Sequence, residues 1–264
     1  MFKLVLDAGH GLKTSGKRCL KSLDANETRE WWLNDRIADE VERRLREYNG
    51  CSLLRADDRT GARDVPLAER VKAANKWGAD FYLSIHHNAG IKGGSGGGIV
   101  AYCHTGAGKA SVEWRDELYE ALVAHTGLRG NRATPKAKAN HYVTRNTIMP
   151  SVLLELGFMD SSTDAPILLS DEYAAGCAAA IADVVVRTAG LTKKGEIEVT
   201  EAELRAIVRE EMAKIEAEKA KLAPAEWAQT GLAFAKSKGI TDGTRPQSTA
   251  TRQEVAVMLY NAMK

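Results

Sequence analysis

The sequence predicts an α/β fold in which a mostly parallel, twisted sheet carries helices on both faces. Short, continuously apolar runs recur along the first two-thirds of the chain, as expected for strands that are buried on both faces. Segments with helical periodicity lie between these runs, and strands that alternate with helices are typical of parallel sheets. A highly charged segment at 196–222 then separates this part from a more apolar stretch after Pro224.

Each element of the sheet domain is indicated by its local pattern. Ile37, Val41 and Leu45 repeat every four positions, which predicts an amphipathic helix. Gly78 and Gly127 stand where two further helices are expected to end, because glycine readily adopts the left-handed conformation of a helix C-cap. In chain order the expected elements are strand 2–8, helix 30–45, strand 51–56, helix 65–78, strand 79–88, a glycine-rich loop at 90–98, strand 99–104, helix 111–126, strand 150–158 and an alanine-rich helix at 171–188.

Three parts are predicted along the chain. They are a large α/β domain at 1–190, a charged helical linker at 191–222 and a small helical module at 223–264. The linker has only a thin apolar seam, including Leu204 and Val208, so it is either a spacer or a weak coiled-coil segment that dimerises the chain. In the module we expect two helices separated by a tight turn, with Thr249 or Thr251 as the N-cap of the second.

The bulk composition excludes several classes of protein. A net charge of +2 over 264 residues gives no indication of nucleic acid as a partner. The four cysteines are far apart and form no CxxC pair, which argues against a zinc knuckle or a disulfide scaffold. The start of the chain lacks the features of a signal peptide, and no stretch is long enough to span a bilayer. We therefore expect synthesis in the cytoplasm, and release by another factor if the target lies outside.

Two histidines and two carboxylates are expected at one edge of the sheet. His10 follows the first strand, His86 ends the third, and Glu155 interrupts an apolar strand. Glu30 lies in the first turn of a helix. Ligands of parallel sheets bind at the carboxyl ends of the strands. Two histidines and one carboxylate are a common catalytic zinc set, and a second carboxylate can then act as general base.

Structural roles are the alternative for each of these residues. Glu155 points most strongly to function, because a carboxylate inside an apolar strand is costly to bury without a partner. His87 and His141 are expected to be structural, although both can line the site. Asp7 is expected to support the site. The glycines on either side of His10 are expected to leave it free to turn towards a metal.

A phosphate-binding loop is a competing interpretation of the same region. Residues 11–18, GLKTSGKR, nearly match the pattern GxxxxGK[ST] and follow a strand. Arg18 replaces the hydroxyl that would hold magnesium, however, and the following residues predict a loop rather than a helix. These differences favour the metal interpretation over nucleotide binding.

Four sequence blocks occur in a fixed order along the first part of the chain. They are DAGHG at 7–11; Glu30 with Asn34, Ile37 and Ala38; Leu67, Arg70, Ala74 and Asn75 running into ADFYLSIHHNA; and VTRNTIMPSVLLELGFMD at 143–160. Together they resemble the zinc-dependent N-acetylmuramoyl-L-alanine amidases, the peptidoglycan hydrolases of bacterial autolysins and phage endolysins. The resemblance extends over residues 1–190. Where members often have Arg-Gly, this chain has the departure GNRA at 130–133.

The resemblance implies a role for each candidate residue. His10, Glu30 and His86 would hold Zn²⁺, and Glu155 would be the general base for cleavage of the amide between N-acetylmuramic acid and L-alanine. Glu27 is an alternative to Glu30, but the spacing to Asn34 favours Glu30. The missing signal peptide fits a phage or prophage endolysin that is released through a hole in the membrane. The alternatives are a zinc peptidase that cuts the stem peptide and a non-catalytic wall-binding protein on the same scaffold.

The tail contains Trp227, GITDGTRP at 239–246 and TRQEVAVML at 251–259. These segments are similar to a single S-layer-homology motif. This resemblance implies a secondary cell-wall polymer as a partner. Such modules usually occur in several copies, so dimerisation through the linker helix would supply a second one. The alternative is a small helical cap on the catalytic domain.

Overall fold

The computed structural model describes residues 1–130, 134–195 and 200–263. The chain divides into two compact units, Met1–Glu196 and Ile197–Lys264. Residues 131–133 of the departure from the family pattern, residues 196–199 of the expected linker and Lys264 lie outside the described residues. The three-part division at 190 and 222 stays a prediction.

The first unit contains strands and helices close to the predicted positions. Its strands are β1 (Phe2–Ala8), β2 (Tyr48–Asn49), β3 (Cys51–Arg55), β4 (Phe81–Asn88), β5 (Ile99–His104), β6 (Lys136–Ala139), β7 (Ser151–Phe158) and β8 (Thr192–Lys193). Its helices are α1 (Glu30–Leu45), α2 (Leu67–Trp77), α3 (Lys109–Thr126), α4 (Tyr142–Asn146), α5 (Ala165–Leu168) and α6 (Asp171–Ala189).

The central sheet has the order β3-β1-β4-β7-β5-β6. Neighbouring strands are parallel except for β7 and β5, which run antiparallel. The predicted fold class, a mostly parallel sheet with helices on both faces, is confirmed. A separate antiparallel pair is formed by β2 and β8.

The helices cover the two faces of the sheet unequally. The larger core lies between the sheet and α1, α3 and α6, and the alanines of α6, such as Ala178 and Ala182, allow close packing there. The smaller core lies on the other face, where Val71 of α2 and Val143 of α4 pack against the strands. The helices on this second face, α2 and α4, are therefore shorter than those on the first face.

The carboxyl ends of β1, β4 and β7 bring polar residues to this second face. Asp7 of β1 lies opposite Ser84 of β4, and His86 of β4 lies opposite Glu155 of β7. Alternate residues of a strand share a face, so Ser84 and His86 point the same way. The sheet register thus places the polar residues of three strands together.

The second unit is helical. It consists of α7 (Glu201–Lys219), a 3₁₀ turn at Glu226–Ala228, α8 (Gln229–Ser237) and α9 (Arg252–Ala262). Thr200 and Thr251 begin α7 and α9 with capping boxes, in which each hydroxyl accepts a hydrogen bond from the third residue of the helix. Across the described part of both units, no helix combines the length and apolarity that a membrane crossing requires.

Candidate metal centre

His10, Glu30 and His86 converge at the carboxyl end of the sheet. One ligand atom from each side chain lies within 4.8 Å of the other two. Glu30 Oε1 is 3.3 Å from His10 Nε2 and 3.1 Å from His86 Nδ1. The two imidazole rings are nearly perpendicular, with centroids 4.9 Å apart. The structure therefore brings together the three residues that the sequence predicted as ligands, although their role stays a prediction.

The turn after β1 directs His10 into this cluster. His10 itself adopts a left-handed conformation with φ of +68°, whereas the two adjacent glycines have no positive φ. A Cβ atom on Gly9 would lie 2.0 Å from Cε1 of His86, and one on Gly11 would lie 3.0 Å from the backbone nitrogen of Asp64. The two glycines therefore do not adopt the left-handed conformation themselves. They supply space for the neighbouring side chain and loop.

Glu30 is a buried, ionised carboxylate at the first residue of α1. Burial acts to raise the pKa of Glu30, but hydrogen bonds with His10 and His86 hold it well below its usual value. The backbone N–H of His87 donates a further hydrogen bond to Oε1, at 3.3 Å. The position in the first helical turn also favours negative charge.

The donor set fits a metal ion. Glu30 Oε2 is buried and accepts no hydrogen bond within the described residues, while the partly exposed ammonium of Lys17 lies 3.5 Å away. A buried carboxylate oxygen that accepts no hydrogen bond is costly, and the partly exposed Lys17 ammonium offsets only part of this cost. Two imidazoles and one carboxylate match the preferences of zinc. Sequence reasoning missed Lys17, whose position depends on the path of the loop at 11–29.

Glu155 lies beside the cluster rather than within it. It is partly buried in β7, in register with His86 on one side and with Val100 of β5 on the other. Burial acts to lower the pKa of His86, but Glu30 and, more weakly, the charge of Glu155 raise it. Glu155 thus lies beside His86 on the neighbouring strand and on the same face of the sheet, and its role stays a prediction.

The two additional histidines have different surroundings. His87 is buried, and burial lowers its pKa to about 3, so the ring is neutral. Its Nδ1 lies 2.8 Å from Asn34 Oδ1, and the side-chain amide of Asn34 donates a hydrogen bond to the carbonyl of Gly9. Through Asn34, His87 therefore supports the turn at residues 9–11 from the other face of the sheet. Burial also lowers the pKa of His141, whose ring stands edge-on to Tyr102 at 5.0 Å.

The loop that nearly matches a phosphate-binding pattern has another structure. The first helix after β1 begins at Glu30, which places an acid rather than free amide groups at its N-terminus. Within the loop, the hydroxyl of Thr14 accepts a hydrogen bond from Gly11 N–H and donates one to Asp64. This region therefore contributes Lys17 beside Glu30 and has no helix N-terminus for a phosphate.

The glycine-rich loop at 90–98 is attached to the loop that follows β7. Asp160 accepts hydrogen bonds from the N–H groups of Gly90 and Lys92, and Asp164 accepts one from Gly98. A Cβ atom on Gly97 would lie 2.4 Å from Asp164 Oδ2. The glycines therefore permit close packing within the protein. Sequence reasoning missed both aspartates, because a partner so far along the chain leaves no local signal.

A cleft of about 360 Å³ adjoins the cluster. His10 and His86 form one side, and Val65, Pro66 and Leu67 at the start of α2 contribute an apolar wall. Concave, partly apolar surfaces with a few polar groups are typical of substrate sites.

Comparison with known proteins identifies the family of this chain. Residues 4–187 match the family model described as N-acetylmuramoyl-L-alanine amidase. The chain belongs to this family. Its enzyme class is accordingly that of the N-acetylmuramoyl-L-alanine amidases, and its activity is that of a peptidoglycan amidase.

Relatives and solved structures agree with this assignment. The N-acetylmuramoyl-L-alanine amidase CwlM of Bacillus licheniformis is 34% identical over 194 residues, which cover 73% of this chain and 71% of CwlM. An endolysin of Bacillus phage SPP1 is 32% identical over 198 residues, covering 74% and 69%. The catalytic domain of CwlV from Bacillus (Paenibacillus) polymyxa aligns with a TM-score of 0.63 and 26% identity, over 73% of this chain and 100% of that domain.

A more distant structure supports the fold alone. The amidase from Clostridium difficile 630 aligns with a TM-score of 0.63 and 24% identity, over 70% of this chain and 95% of its own.

Proposed function

We propose that this protein is a zinc-dependent hydrolase that cleaves the amide bond between N-acetylmuramic acid and L-alanine in peptidoglycan. The observation that carries the proposal is the convergence of His10, Glu30 and His86, with Glu155 one strand away in register with His86. Similarity to CwlM and CwlV, both described as N-acetylmuramoyl-L-alanine amidases, supports the choice of bond.

Three residues would hold the zinc ion. His10 offers Nε2, His86 offers Nδ1, and Glu30 offers a carboxylate that its hydrogen bonds keep ionised. When bound, zinc activates water and polarises a carbonyl group as a Lewis acid.

Glu155 moves the proton in this proposal. Its carboxylate accepts a proton from water as the water oxygen bonds to the carbonyl carbon of the lactyl amide. It then donates that proton to the nitrogen of L-alanine as the C–N bond breaks. The products are a lactyl carboxylate on the glycan and a stem peptide with a free amino terminus, so the atoms balance.

The chemical groups released from purified cell walls test this function. Removing the metal with a chelator is expected to abolish release, and adding zinc is expected to restore it. Digested walls are expected to gain free alanine amino groups and no new reducing sugars. New reducing ends would identify a glycosidase and contradict the proposal.

The two alternatives differ in their products. A zinc peptidase would use the same four side chains but would release fragments cut within the stem peptide, which mass spectrometry distinguishes. A non-catalytic wall-binding protein would take up zinc and release nothing. The presence of all four groups in one place favours an enzyme.

We further propose that the second unit binds a secondary cell-wall polymer, as its resemblance to an S-layer-homology motif implies. Trp227 of this unit is 89% exposed. Co-sedimentation with cell walls stripped of secondary polymers tests this partner, and binding equal to that of intact walls would contradict it.

We also propose that α7 dimerises the chain. Leu204, Val208 and Met212 of α7 are about half exposed. Light scattering of the full chain tests the dimer, and a monomer at all concentrations would contradict it.

We also propose that the protein is a phage or prophage endolysin, made in the cytoplasm and acting on the wall after release. Its similarity to the endolysin of Bacillus phage SPP1 supports this origin. Expression in a host with and without a hole-forming membrane protein tests it. Lysis is expected only when the membrane is opened, and lysis without opening would favour an autolysin.

A further inference from the structure

Arg70 of α2 is a fully buried charge beside the metal centre. It is only 1% exposed and lines the cleft next to His10 and His86. A buried guanidinium is costly unless its charge and its hydrogen-bond donors are all compensated. Its contacts therefore indicate what this position requires.

Every donor of Arg70 has an acceptor. The fork of five N–H groups is rigid, so it fixes the relative positions of the atoms that it contacts. Nε donates a hydrogen bond to the carbonyl of Val65 at 2.8 Å. Nη1 donates one to the Asp7 carboxylate and one to the carbonyl of Ala8, the latter at 2.8 Å. Nη2 donates one to the carbonyl of His10 and one to the Asp64 carboxylate, each at 3.1 Å.

Asp7 fixes the orientation of the fork and balances its charge. Its second oxygen accepts hydrogen bonds from the Tyr82 hydroxyl at 2.7 Å and from the Ser84 hydroxyl at 2.9 Å. Burial acts to raise the pKa of Asp7, but Arg70 and Tyr82 hold it below its usual value. The carboxylate is therefore ionised and held on both sides.

The fork holds the turn that presents His10. Its contacts with the carbonyls of Ala8 and His10 lie on either side of Gly9, whose own N–H donates to the carbonyl of Ile85. The left-handed conformation of His10 is unfavourable for a residue with a side chain, so it persists only where other contacts fix it. Arg70 supplies two of those contacts.

We propose that Arg70 is a positioning residue that holds the strained turn at His10 and so sets the affinity of the centre for its metal. The inference rests on the proposed metal site. Lysine cannot take over this role, because a single ammonium cannot form the five fixed contacts of a guanidinium.

The zinc affinity of Arg70→Lys tests the proposal, measured by competition with a chromophoric chelator. Arg115→Lys is the matched control, since Arg115 is also buried and donates to the carbonyl of Ala137 at 3.1 Å, outside the metal centre. We expect Arg70→Lys to bind zinc about 10–100-fold more weakly, with the control within about threefold of wild type. A folded Arg70→Lys within about threefold of wild type would overturn the proposal.

A second variant keeps the test decisive if Arg70→Lys does not fold. Asp64→Ala removes an exposed side chain that accepts a hydrogen bond from the fork, and we expect zinc binding to weaken more than about threefold. Unchanged affinity in that folded variant would also overturn the proposal. Neither measurement uses a substrate. The role of Arg70 in zinc binding can therefore be judged even if the proposed bond specificity is wrong.

Discussion

The first unit buries apolar side chains on both faces of its sheet, whereas residues 200–263 contain no fully buried side chain. The two units also differ in where one ion pair of each lies. Arg70 and Asp7 pair inside the first unit, while Glu201 and Arg205 pair on the surface of α7. The comparison teaches that the first unit positions its polar site with its own core, whereas the second unit carries apolar side chains such as Leu204 at its surface.

The largest expected effect concerns the proposed base in the first unit. Glu155→Gln keeps the shape of the side chain but removes its proton-accepting oxygen, so we expect kcat to fall by roughly 10²–10⁴-fold. Hydrolysis of soluble muropeptides measures this loss. Glu172→Gln, at an exposed position of α6, is the control and should keep full activity. Equal activity of both variants would remove Glu155 from the mechanism.

Two helical leucines compare the units directly. Leu118 of α3 is fully buried, and Leu204 of α7 is 54% exposed. We expect Leu118→Ala to lower the free energy of unfolding by about 2–5 kcal/mol, because it leaves a cavity. Leu204→Ala should change that of the monomer by less than about 0.5 kcal/mol. Denaturant titration at low protein concentration measures both, and equal losses would contradict the contrast between the units.

Gly9→Ala tests whether the space beside the His86 ring in the turn at residues 9–11 is essential for zinc binding. The added methyl group would overlap the His86 ring, so we expect zinc affinity to fall by about 10–100-fold. Gly108→Ala is the control, because its Cβ would meet no atom within 4 Å and its φ is −69°. Calorimetric zinc titration compares them. Normal affinity in Gly9→Ala would show that the turn adapts.

The smallest expected effect concerns the exposed indole of the second unit. If Trp227 contacts wall polymer, Trp227→Ala should weaken co-sedimentation with whole walls by roughly tenfold, the loss expected for one exposed aromatic contact. Hydrolysis of soluble muropeptides should be unchanged. Loss of both activities together would mean that the indole serves stability instead.

Local sequence signals predicted much of the fold. Gly78 and Gly127 end α2 and α3 in the left-handed conformation, and Thr251 caps α9, as the pattern indicated. Apolar runs also located the strands that form the centre of the sheet. These features depend on neighbouring residues, which is why a single sequence contains them.

Elements without such signals were missed. The edge strand β6 alternates lysine with alanine, so it lacks an apolar run, and α4 has only five residues, too few to show helical periodicity. At the candidate site, the sequence predicted which side chains would meet. It did not predict the conformation of His10 or the contacts of Arg70, because both depend on packing between segments about 60 residues apart.

The zinc content of purified variants tests the central claim most directly. After gel filtration, wild type and Glu155→Gln are expected to retain stoichiometric zinc, while His10→Ala, Glu30→Gln and His86→Ala retain little. That result would separate the three metal ligands from the general base. Loss of zinc from Glu155→Gln, or full retention by any variant of the three clustered residues, would contradict the account.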